Sequence, residues 1–146
     1  MSKNLTLIII TLWVGALWMT GVSAYMLFQA LSDKQMAGNL AGKLFEIVSY
    51  VGIASALFLL IQRLLEFGTG ALRQSYFWAV FVMLLLVFAG HFGIQPLLAQ
   101  LKTSALPNDV MHSVFASRFS TWHGIASVAY LVECLLGLVL VLKVRN

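Results

Sequence analysis

Charged side chains are scarce in this chain, making up 10% of its 146 residues, where soluble domains carry about 25%. That scarcity excludes an ordinary soluble domain. Cysteine is scarcer still: Cys134 stands alone, so neither a disulfide framework nor a paired-cysteine metal motif can be built. The chain also lacks a Gly-x-Ser-x-Gly elbow, a His-Glu-x-x-His pair, a phosphate-binding loop and a dinucleotide fingerprint. No Ser/His/Asp set stands out either, so we expect a protein that is not an enzyme. The formal charge of +4 comes without a basic run, which argues against nucleic acid as a partner and for anionic lipid headgroups. No repeat or low-complexity segment is visible.

Apolar residues fill the space that charge leaves. They make up 61% of the sequence, and the mean hydropathy is +0.94. They gather in four runs, Leu5 to Leu31, Leu44 to Ile61, Tyr76 to Leu98 and Phe119 to Leu142. Each approaches or exceeds the roughly 20 residues a helix needs to cross a bilayer. Backbone amides cannot stay unpaired in lipid, so each run is expected to be helical, and unbroken runs exclude a β-barrel. The fold expected is all-α: an integral membrane, antiparallel four-helix bundle forming a single transmembrane domain, with spans near 5–31, 44–63, 76–98 and 117–142. The first run exceeds the roughly 7–15 apolar residues of a secretory signal core and is read as a retained span despite "GVSA" near its end.

Loop cations set the expected orientation. Lys3, Arg63, Arg73, Lys143 and Arg145 lie on the side of the termini and second connector, against Lys34, Lys43, Lys102 and Arg118 on the other. Five against four favours cytoplasmic termini, and the address expected is a bacterial inner membrane. The bilayer is the first partner, with other membrane subunits or a second copy as further candidates. Connector one, Ser32 to Lys43, reads as a polar turn, and Gly-Thr-Gly in the second as a helix cap. In the third, Pro107 is placed to open the fourth helix outside the membrane, with Asn108 and Asp109 at its positive end. Thr11 with Gly15, and Gly52 with Ala56, are spaced for close helix packing. Trp78 and Trp122 suit the interface, whereas Trp13 and Trp18 read as core.

The fourth run carries the chemistry. At about 100° per residue, His123, Ser127, Tyr130 and Cys134 share one narrow stripe, with Glu133 on its flank at about −80°. His112 returns to that stripe if the helix is continuous. Such groups should face the bundle interior or a wet cavity. Glu133 is too far along the helix from Lys143 to be neutralised by it and needs a partner from another span or a proton. Glu46 and Tyr50 stand one turn apart in the second span, as do His91 and Gln95 in the third, and Pro96 is expected to kink the helix beside them. At 1.5 Å per residue, His91 and His123 fall roughly 5 and 10 Å from the midplane in the same half. Three readings follow. The polar groups hydrogen-bond between helices and hold the bundle in register. His123 and His91 ligate a b-type haem, or His123 binds copper with Cys134 or a methionine such as Met19 or Met26. The stripe and Glu133 line a path for a proton, ion or small molecule.

The segment Leu12 to Gly52 resembles the first half of the bacterial four-span domain of unknown function related to transmembrane protein 205. The likeness rests on Trp13, Gly15, Trp18, Leu27, Phe28, Ala37, Gly38, Ala41, Gly42, Leu44 and Phe45. "IQP" (Ile94 to Pro96) and "FSTWHGIAS" (Phe119 to Ser127) match later pieces of the pattern. The resemblance implies the fold and the membrane location, but no settled activity. It offers no counterpart to His91, which favours His123 as the site residue, and its serine lies one place before Ser127. A looser architectural similarity to copper resistance protein D keeps the metal reading open. The functional expectation is a membrane protein whose polar cluster organises the bundle or binds a small ligand or partner.

Overall fold

The computed structural model describes residues 3–144, and every regular element in them is a helix. Helix α1 spans Lys3–Ala30, α2 Lys34–Phe67, α3 Ser75–Phe88, α4 Gln95–Ala105 and α5 Ala116–Val144. A 3-10 segment, Gly68–Arg73, follows α2, and a π-helical segment, Ala89–Ile94, joins α3 to α4. Four stretches are long and apolar enough to cross a membrane: Lys3–Ala30, Lys34–Arg73, Ser75–Ala105 and Ala116–Val144. Outward faces are apolar, as at Leu12, Met19, Leu65 and Val128. Water would penalise such a surface, whereas hydrocarbon would not. Packing runs round a ring, α1 on α2, α2 on α3, α3 on α5 and α5 on α1. The expected four-span bundle is what the chain forms. Arg145, one of the residues used for orientation, lies outside the described residues.

Several boundaries differ from the expectation. Connector one is no broad polar turn, because Asp33 caps α2, its carboxylate accepting from the backbone N–H of Gln35 and Met36 at 3.0 and 3.1 Å. Capping starts the helix about two and a half turns before Lys43 and leaves only residues 31–33 as the link. Gly-Thr-Gly does end α2: Gly68 has φ +54°, a conformation other residues resist, and its N–H reaches the Leu64 carbonyl. Pro107 does not open the fourth helix. Asp109 instead caps a separate 3-10 turn, Val110–His112, and α5 begins at Ala116. His112 is therefore cut off from the stripe that a continuous helix would have given it.

The core is packed at one end. Ile10, Trp13, Val14 and Leu17 of α1 meet Leu59, Val80, Met83 and Leu140 from the other spans. Gly52 makes this possible, since a Cβ there would lie 3.0 Å from Trp13 Nε1 and 3.3 Å from Val87 Cγ2. Ala56 is likewise fully buried. Thr11 and Gly15 play no such part, both lying exposed on α1 with nothing within 4 Å of a Cβ at Gly15. Trp18 also departs from the expectation. It is exposed, whereas Trp13 has no exposure at all. At the opposite end, Leu101, Ala105 and Val110 form a small second cluster with Phe115 and Phe119. Between the two clusters the bundle is open.

Candidate functional site

That opening is a cavity of about 1340 Å³, larger than the roughly 300–1,000 Å³ of common ligand sites. Its walls come from α1, α2, the α3–π–α4 span, the Val110–His112 turn and α5. Small residues make the room: Gly21, Gly38, Gly42, Gly90, Ala126 and Ala129 all line it. The π-helical segment and Pro96 shape the third wall. A proline ring cannot donate to the carbonyl four residues back, so the chain leaves regular α geometry just before it. His91 sits in that π segment and Gln95 immediately follows it.

Lys34, Asp109 and His112 lie in the part formed by the start of α2 and the third connector, and Lys43 lines the wall about two and a half turns into α2. Lys34 Nζ is committed to carbonyls at and just past the end of α1, those of Phe28 and Leu31. Asp109 faces His112 Nδ1 at 3.9 Å. Further in, Lys102 Nζ donates to Asn39 Oδ1 at 3.3 Å and stands 5.7 Å over the Phe119 ring. Phe119 also stacks on His123, with ring centroids 5.9 Å apart and planes 7° from parallel. His91 packs edge-on to Tyr50, 4.8 Å between centroids, and its Nδ1 is buried without a hydrogen-bond partner.

The floor is Glu133. It is 5% exposed, the only buried charged residue among those described, and its Oε1 has no hydrogen-bond partner. One turn earlier, the Tyr130 hydroxyl donates to the Leu17 carbonyl and ties α5 to α1. The Tyr130 ring meets Phe45 of α2 edge-on at 5.0 Å. Glu133 lies ten residues beyond His123, about 15 Å deeper at helical rise. An unpaired carboxyl at that depth costs several kcal/mol unless something bonds it.

Glu46, His91, Gln95, His123, Ser127, Tyr130 and Glu133 thus all line one cavity, although they do not act alike. Ser127 donates to the His123 carbonyl of its own helix at 2.8 Å and bridges nothing between helices. Cys134 is packed in the core, away from the cavity wall. It lies eleven residues from His123, about 16 Å along the helix, so the two cannot share a copper ion. Met19 and Met26 are exposed on α1 beside a shallow groove elsewhere. Among the described residues, no three His, Cys, Asp or Glu side chains are grouped to hold a metal. Lys102, Asn39 and Phe45 were not foreseen as site residues. The signal for Lys102 was there: Leu97, Leu98 and Leu101 continue the helix past Pro96 and carry the lysine into the bundle rather than into a loop.

The sequence pattern of the domain of unknown function DUF4149 matches residues 8–107, about two thirds of the chain. The chain belongs to the DUF4149 family. The match takes in α1 to α4 and with them Lys34, Glu46, His91 and Lys102. Helix α5 of this DUF4149 protein, with His123, Tyr130 and Glu133, lies beyond the matched stretch. No curated protein and no solved structure matches the chain.

Proposed function

We propose that this DUF4149 protein is a non-enzymatic protein of a bacterial inner membrane, related to transmembrane protein 205, that takes a small ligand into its interhelical cavity. The observation that carries the reading is the unbonded Glu133 Oε1 at the floor of a large cavity. A group that costly is kept where something else completes it. Native mass spectrometry of the protein in nanodiscs tests this. A bound small molecule is expected on the wild type and is expected to bind more weakly to Ser127→Phe, whose ring would occupy part of the cavity. Bare protein in both samples would reject the reading. The same preparation addresses haem, which His91 and His123 favour by lining one cavity. A haem adduct would bring a Soret band that disappears in His123→Ala.

The cation balance supports cytoplasmic termini, and the cavity then opens toward the opposite face, where the first and third connectors lie. With Cys134 replaced by serine, His123→Cys is expected to react with a membrane-impermeant maleimide on intact cells. Val14→Cys, at a buried core position, is expected to stay unlabelled from either side. Labelling of His123→Cys only in inverted vesicles would reverse the orientation.

A further inference from the structure

The cavity floor has a more specific chemistry than its size conveys. Glu133 is nine-tenths buried and its Oε1 faces no donor. The rings of Tyr130, one turn before it on α5, and Phe45 line the same cavity and stand edge-on to each other. The Tyr130 hydroxyl is already committed to Leu17, so what that ring offers a ligand is its π surface. Leu17, Val48 and Val87 supply apolar wall. Three lysines share the cavity lining: Lys34 and Lys102 have their own acceptors, Lys43 is exposed on α2, and none bonds Glu133 Oε1. A carboxylate with aromatic faces in an apolar, low-dielectric recess is the recognition chemistry of a cation that carries its own hydrocarbon. A small inorganic cation would need several oxygen ligands, whereas Glu133 is the only buried carboxylate among the described residues and no three His, Cys, Asp or Glu side chains are grouped there.

We infer that the floor of the cavity binds a lipophilic organic cation, its charge against Glu133 and its apolar groups against Tyr130 and Phe45. This rests on the reading of the cavity as a ligand site and names the class of ligand. Tetraphenylphosphonium and tetraphenylborate test it, being ions of matched size and hydrophobicity but opposite charge. Equilibrium dialysis against the full chain in nanodiscs, with empty nanodiscs subtracted, gives the affinities. Saturable binding of tetraphenylphosphonium is expected, about tenfold or more tighter than tetraphenylborate. Glu133→Gln is expected to remove that preference, and Glu133→Asp to keep it. Equal or tighter tetraphenylborate binding to the wild type, or an unchanged preference in a folded Glu133→Gln, overturns the inference. The wild-type comparison decides even if the glutamine variant fails to fold. Failure here leaves the cavity reading to the mass-spectrometric result, so the two can fail separately.

Discussion

Gly52→Val is expected to lower the stability of the bundle by about 1–3 kcal/mol, the usual range for forcing extra carbon into a packed interior. The first added atom already meets Trp13 Nε1 at 3.0 Å and Val87 Cγ2 at 3.3 Å. Neither neighbour can swing away, since Trp13 has no exposure and Val87 is 5% exposed. Trp13 also lies against the tightest part of the core, so α1 would have to separate from α2. Gly15→Val is the matched control, in the same kind of helix but with nothing within 4 Å. Unfolding titrations in mixed micelles, following far-ultraviolet circular dichroism, should separate the two. Equal midpoints would show that close approach at Gly52 is not what holds the first two spans together.

Glu133→Met is expected to act in the opposite direction. Methionine matches the length of glutamate and needs no hydrogen bonds, so it removes a buried polar group that the fold leaves unpaired. Relief of about 1–3 kcal/mol is the ordinary worth of such a group. The same titration should therefore move to a higher midpoint, while any ligand held at the cavity floor is lost. A stabilised protein that no longer binds is what separates a functional carboxyl from a structural one. A drop in stability would instead show that Glu133 bonds something within the folded bundle, and its role would be to hold helices together.

How legible these features were in the sequence depended on the physics behind each. The four spans could be read from hydropathy alone, because lipid leaves the backbone no alternative to a helix. Their ends could not. The first ten residues of α2 hold two lysines, a glutamine, an asparagine and two glycines, and what starts the helix there is the cap at Asp33, a local bond invisible to an apolar count. The carboxyl at Glu133 was conspicuous as a charge in a greasy run, and it does lie at the cavity floor. The stripe through His123 and Cys134 failed as a unit because angular spacing fixes which residues share a face, not what that face meets along its length. The second half of α5 packs on the core and buries Cys134, Gly137 and Leu140, whereas its first half borders open space at His123 and Ser127. The same ambiguity hides among the small residues. Gly52 and Gly137 admit Trp13 and Val14, while Gly42 and Gly90 leave room that nothing in the chain fills.

The wide turn from Ala89 to Ile94 has a consequence for everything downstream of it. A π turn spends one more residue than an α turn, so the next helix arrives rotated by about 100° from where an uninterrupted spiral would put it. Shortened by a single residue there, the third span would present a different edge to its neighbours, and the ammonium group that now rests above Phe119 would be dialled toward the lipid. One surplus residue in mid-helix is thus what aims the inner lysine.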